Sequence, residues 1–146
     1  MIRKIEKKDK EIYLKLAKEF YSTDAVLHTV PDENFENTFN ELMRSNDYTE
    51  CYILEHNGQT AGYALLSKSF SQEAGGFVIW IEEIYILEQF RCNGLGREFF
   101  KYINDNLIKD NVKRLRLEVE DENERAVKLY TNLGFEPLKY SQMIKE

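Results

Sequence analysis

Residues 91 to 96, RCNGLG, follow a run rich in isoleucine and tyrosine and precede REFFKYINDNLIKD, whose apolar spacing predicts an amphipathic helix. A strand, a short glycine turn and a helix start aim several unpaired backbone N–H groups at one point, and the helix dipole adds positive potential there. Such a turn can seat a pyrophosphate. Gly94 and Gly96 would let a bulky anion approach the main chain, and Arg91 and Arg97 would add charge from the rim. The same residues also suit an ordinary surface turn, so this stretch alone leaves both uses open. It is not a P-loop, which needs GxxxxGK[ST]. Nor is it a dinucleotide turn, whose third glycine would fall on Phe99.

Just upstream, GFVIWIEEIYIL is apolar on both faces apart from Glu82 and Glu83. Successive strand residues face opposite sides, so at most one of these carboxylates is expected to enter a cleft. A hydrogen-bonded pair at a strand end is the other use for them. Cys92, inside the glycine turn near a helix start, sits where a thiol pKa can be lowered, but no general base is placed beside it and a loop cysteine is the simpler reading. His28 and His56 form no metal-ligand spacing with any Cys or carboxylate, so no metal is assigned.

The elements that must hold these residues can be read from the pattern. MIRKIE suits a short strand, after which Asp9 can cap a helix carrying Ile12, Leu16 and Phe20. Ser22 to Pro31 reads as a loop, and Phe35, Phe39, Leu42 and Met43 form the stripe of a second helix. Asn57-Gly58 between two β-prone runs predicts a hairpin, and GFVIWIEEIYIL is a third long strand, expected to be central. The glycine-turn helix presents Leu95, Phe99, Ile103 and Leu107; RLRLEV then alternates as a strand that the crossover makes parallel to the one before. A helix from near Asp121 is stopped at Gly134, and a final strand is expected from Phe135 to the end. The order βααβββαβαβ predicts a mixed α/β fold with helices against a largely continuous sheet.

The chain of 146 residues is the size of one domain, with no repeat or linker to divide it, so residues 1–146 are expected to fold as a single unit. A net charge of −6 without a Lys/Arg cluster argues against nucleic acid as a partner. No apolar run approaches the ~20 residues of a membrane span, and the start lacks a signal-peptide core. A cytoplasmic protein with Cys51 and Cys92 reduced is expected.

ILEQFRCNGLGREFF followed by VEDENERAVKLYTNLGF resembles the two core motifs of the GCN5-related N-acetyltransferases. The first matches RxxGxG; the second, NxxAxxLYxxxGF, is matched by Asn123, Ala126, Leu129, Tyr130, Gly134 and Phe135. The resemblance covers essentially the whole chain and implies that family's single-domain fold, with helices on both faces of a twisted sheet. It implies that the turn from Arg91 through Cys92, Asn93, Gly94, Leu95 and Gly96 to Arg97 grips the pyrophosphate of acetyl-CoA. Ile84, Tyr85 and Ile86 would offer main-chain groups to the pantetheine arm, as a strand edge accepts an added strand. The next strand would splay away to make room. Asn123 would touch the cofactor, though an asparagine in a first helical turn also suits a cap.

Acyl transfer to an amine needs a neutral nucleophile, and an alkyl amine with a pKa of about 10 is mostly protonated at neutral pH. WIEEIYI resembles the corresponding strand of polyamine acetyltransferases, which puts Glu82 at the base position and holds Glu83 in reserve. Tyr130 would protonate the departing thiolate; without the motif it would read as a core aromatic. The implied activity is acetyl transfer from acetyl-CoA to a primary amine of a small molecule or peptide. A module that binds acetyl-CoA and regulates a protein partner is the alternative, to which Tyr130 and the glutamates would be superfluous. Asp24, Asp32, Glu33, Glu36, Glu41, Asp47 and Glu50 fall between Ser22 and Glu50, which would overlie the acceptor, and suit either a cationic acceptor or a solvated helix face. The resemblance allows a homodimer, for which no residue reports an interface.

Overall fold

The computed structural model describes residues 1–108 and 111–146. Its elements run β1 (Ile2–Lys4), α1 (Lys10–Tyr21), α2 (Asp32–Arg44), β2 (Thr49–His56), β3 (Gln59–Ser71), β4 (Gly76–Ile86), α3 (Leu95–Asn106), β5 (Val112–Leu117) and α4 (Glu124–Asn132). The sheet order is β1-β2-β3-β4-β5; the first three pairings are antiparallel and β4–β5 is parallel, as the crossover through α3 requires. The end of the expected third helix, Lys109 and Asp110, lies outside the described residues.

Alternation along the strands feeds two cores, one per face. Tyr52, Leu54, Leu66 and Ile81 meet Leu95, Phe99, Phe100 and Ile103 of α3 on one side. Ile53, Tyr63 and Tyr85 meet Tyr13, Leu16 and Phe20 of α1 and Phe35 and Phe39 of α2 on the other. Phe99 is wholly buried, so its truncation to alanine would cost about 3–5 kcal/mol.

Three expectations are corrected. Asp9 does not cap α1 through its side chain; its carboxylate is taken by Arg3 at 2.7 and 2.9 Å and by the Glu6 N–H at 2.8 Å. The Arg3 guanidinium holds the Asp9 carboxyl below the usual carboxylate range. No strand follows Phe135: the chain from there to Glu146 is in no regular element, and β5 keeps one edge without a strand among the described residues. Phe135 is instead pulled inward onto Phe100 and Tyr130, and Pro137 brings no N–H to a ladder. The mixed α/β class holds; the order is βααβββαβα.

The third correction concerns β4. Leu65 of β3 faces Glu83 while Leu66 faces Ile81, so Glu82 is an extra residue, a β-bulge. Glu82 accepts from Ser67 Oγ and Glu83 from Tyr63 Oη, and Ser67 and Tyr63 share one face of β3. Both carboxylates therefore lie on the α1 side of the sheet, where plain alternation would have separated them.

Candidate active site

Pairing between β4 and β5 ends at Ile81 opposite Leu117, yet β4 continues to Ile86. From Glu82 onward β4 has β3 on one side and an open edge on the other. Leu87 N–H donates to Ala61 O, and antiparallel pairing alternates, so Glu83 and Tyr85 turn their main-chain groups towards β3. Ile84 and Ile86 turn theirs towards the opening.

The glycine turn lies directly below this edge. Gly94 takes the left-handed conformation at φ 79° as the residue before α3, and Cys92 is also left-handed at φ 65°. Asn93 braces the turn, its Nδ2 donating to Phe90 O at 3.0 Å and Arg91 O at 3.2 Å, while Arg91 Nε donates to Ile86 O at 2.9 Å. The first helical bond of α3 is donated by Glu98 to Gly94 O, which leaves the N–H groups of Leu95, Gly96 and Arg97 outside the helical ladder.

On the far side, α4 begins with Asn123 as its cap, Oδ1 accepting from Ala126 N–H at 3.2 Å. The helix ends in a Schellman pair: Phe135 N–H donates to Tyr130 O and Gly134 N–H to Thr131 O, with Gly134 at φ 91°. This closure sets the Phe135 ring 5.9 Å from that of Tyr130, with Phe100 5.8 Å away on another side. The GF of the motif thus clamps the tyrosine ring. No hydrogen bond of the described residues engages the Tyr130 hydroxyl, and burial raises its pKa.

Between these walls is a cavity of about 750 Å³. Ile84, Tyr85 and Ile86 line it with Arg91, Cys92, Gly94, Leu95, Gly96 and Arg97 of the turn and Asn123 and Tyr130 of α4. Asn93 alone of the nominated cofactor residues does not, acting from behind the turn. Sequence reading missed Phe20, Thr23 and Ala25, and also Arg125 and Lys128. Arg125 and Lys128 recur at helical spacing with Leu129 and Asn132 on the wall-forming face of α4, the signal that could have found them. Arg125 also reaches Cys92 Sγ at 3.1 Å.

Arg91, Arg97, Arg125 and Lys128 line this cavity and, among the described residues, no Asp or Glu does, in a chain whose net charge is −6. A Cβ built on Gly96 meets only Leu129, at 3.8 Å, so the space over the helix start is open. Cations, free N–H groups and open space at one helix start fit a pyrophosphate.

Glu82 and Glu83 stand outside this cavity. Glu83 is half-buried, accepting from Tyr21 Oη at 2.7 Å and Tyr63 Oη at 2.5 Å. Burial pushes its carboxyl up, the two phenols oppose that, and Glu82 adds to it. Tyr85, whose hydroxyl donates to Glu19 at 2.7 Å, is pushed up to about 12 by burial and that carboxylate. Glu82 is exposed and has Ser67 as its hydrogen-bond partner. Of the acidic residues before β2, Asp32 pairs with Lys18 at 2.7 Å, Glu36 with Lys10 at 2.8 Å and Glu41 with Arg44 at 2.7 Å. Glu50 is buried with Lys68 and Tyr52 on the α3 side. Most of that acidic surface is therefore already paired.

The βααβββαβα fold thus brings the open edge of β4, a phosphate-type turn and a clamped tyrosine to one cavity. The chain belongs to the acetyltransferase (GNAT) family, whose model matches residues 10–135. It is 29% identical over 105 residues to the mouse thialysine N-epsilon-acetyltransferase, covering 66% of this chain and 61% of that protein. It is 26% identical over 98 residues to the spermine/spermidine N(1)-acetyltransferase of Bacillus subtilis, covering 62% and 64%. The chain spans less than two thirds of the length of these curated relatives. The aminoglycoside N-acetyltransferase AAC(6')-Iy in complex with CoA superposes with a TM-score of 0.80 at 19% identity, over 100% of this chain and 93% of that one, a likeness of fold. Among the described residues no helix is long and apolar enough to cross a membrane.

Proposed function

We propose that the chain is an acetyl-CoA-dependent N-acetyltransferase, carried by one domain spanning residues 1–146, that acetylates a primary amine by direct attack. The observation that carries this reading is the cavity with cations and, among the described residues, no carboxylate at the start of α3, which runs along the open edge of β4 to the clamped Tyr130. Arg91, Gly94, Gly96, Arg97 and Arg125 would hold the pyrophosphate of acetyl-CoA, Asn123 would edge it, and the main chain of Ile84 and Ile86 would pair with the pantetheine amides. When bound, acetyl-CoA supplies an activated thioester.

Glu82, exposed and with an oxygen to spare, receives the ammonium proton through water and leaves a neutral amine to attack the carbonyl carbon. As the C–S bond breaks, Tyr130 gives its proton to the thiolate, and the proton shed by the attacking nitrogen restores the phenol through water; the raised pKa of Tyr130 keeps its proton in place until then. Glu83, with both oxygens held by phenols, positions Tyr21 against the bulge. The relatives' names, thialysine and spermine/spermidine acetyltransferases, support an amine acceptor. The compartment proposed is the cytoplasm, and both cysteines are free thiols.

Release of CoA thiol from acetyl-CoA across a panel of primary amines tests the reading. Turnover on at least one amine is expected. Saturable acetyl-CoA binding with no turnover on any amine would favour a regulatory CoA-binding module instead.

A further inference from the structure

Along the free edge of β5 runs a second groove of about 670 Å³, lined among others by Trp80, Arg114 and Arg116 and, farther along the chain, by the carboxylates of Glu118, Asp121 and Glu136. Tyr130 is the one described residue that lines both this groove and the cofactor cavity. The two spaces thus share as a wall the residue assigned to protonate the leaving thiolate.

The strand register explains what else gathers there. Ser67, Trp80 and Arg116 stand in one row across β3, β4 and β5, on the α1 side of the sheet. Glu82 reaches the same row because the bulge turns it to Ser67. The Arg116 guanidinium lies over the Trp80 ring at 4.2 Å. Stacking of this kind fixes the plane of a guanidinium and leaves its edge N–H groups free to donate. Neighbouring Arg114 is engaged by Glu73 at 3.6 Å, whereas Arg116 makes no ion pair among the described residues. Close to where β4 leaves β5, the sheet thus presents an exposed carboxylate and an unpaired, oriented guanidinium on one face.

We propose that Arg116 is the acceptor-specificity residue: it binds an anionic group, carboxylate or phosphate, carried by the same molecule whose amine is presented towards Glu82 and Tyr130. The inference rests on the acetyltransferase reading for the role of the amine, and it reverses the sign of the acceptor suggested by the acidic residues of α2, most of which are spent on lysine and arginine partners. A bidentate guanidinium–anion contact selects by charge and geometry together, which a polyamine cannot satisfy.

Matched pairs of amines test this by calorimetric titration of the CoA-loaded protein, with thiol release followed separately on acetyl-CoA. One pair is 6-aminohexanoate and 6-aminohexanamide; the other is glucosamine 6-phosphate and glucosamine, so that the two arms separate carboxylate from phosphate. In at least one pair the anionic member should bind about 10- to 100-fold more tightly than its neutral counterpart. Arg116→Gln should collapse that ratio towards one, and Arg116→Lys should retain part of it, while affinity for acetyl-CoA stays that of the parent. Equal binding within both pairs, tighter binding of 1,6-diaminohexane than of either anionic amine, or a ratio that survives Arg116→Gln would overturn the proposal. Discrimination without thiol release on any amine would sink the transferase reading and leave Arg116 only as an anion-binding residue; thiol release without discrimination would sink the Arg116 proposal and leave the transferase reading standing.

Discussion

The two ends of the proposed transfer path are built differently. The cofactor end is made by neighbours in sequence: a turn, the helix it opens, and a second helix closed by Gly134 and Phe135, with its polar groups left facing an open cavity. The acceptor end is made by residues far apart in the chain, through the row Ser67, Trp80 and Arg116, the bulge at Glu82 and the Tyr21–Glu83–Tyr63 contacts. Local geometry fixes how an invariant handle such as pyrophosphate is held. Long-range registry fixes what the other substrate meets, and a single inserted residue in β4 changes it.

The largest effect that would separate the two ends is at Tyr130. Tyr130→Phe keeps the ring between Phe100 and Phe135 and removes only the hydroxyl. Rapid thiol-release kinetics should show kcat lower by about 10²–10⁴-fold, with acetyl-CoA affinity nearly unchanged. An unaltered kcat would return Tyr130 to a purely packing role.

Next is Gly96→Ala. The added methyl meets only Leu129 at 3.8 Å, and alanine favours a helix over glycine, so thermal stability should hold or rise slightly. Acetyl-CoA affinity should nevertheless fall about tenfold or more, because the methyl occupies the space over the helix start. Equal affinity would place the pyrophosphate elsewhere.

On the acceptor side, Glu83 offers a pH test. Its carboxyl is raised in the folded protein, so its contribution to stability is present below the unfolded value of about 4.3 and lost as pH rises through the folded value. Glu83→Gln cannot ionise. The melting temperature of the variant relative to the parent should therefore improve from acid towards neutral pH, and a pH-independent difference would mean that Glu83 titrates normally.

The smallest effect belongs to the cap. Asn123→Ala removes the acceptor for Ala126 N–H and should cost about 0.5–2 kcal/mol of stability in denaturant unfolding. Saturating acetyl-CoA should not abolish that loss if the cap is the larger of its two roles.

Legibility in the sequence follows the same division. The turn, the α4 motif, the hairpin at Asn57-Gly58 and the helix stop at Gly134 could be read because each is dictated within a few residues. The bulge could not, since period-two alternation carries no sign of where a residue is extra, and it put Glu82 and Glu83 on one face. Nor could the ion pairs of α2, which depend on Lys10 and Lys18 of a packed neighbour. The strand expected after Phe135 failed because the Schellman closure and aromatic packing commit that residue to the core. Asn93 and Arg125 exchanged expectations: one braces the turn from behind, the other lines the cavity.

The most direct test is a calorimetric titration of the full chain with acetyl-CoA at rising salt. Arg91, Arg97, Arg125 and Lys128 facing one cavity, with no carboxylate among its described lining residues, predict a single saturable site. Its affinity should weaken steadily as ionic strength rises from ~0.05 to ~0.5 M. Absence of saturable binding, or an affinity indifferent to salt, would contradict the account.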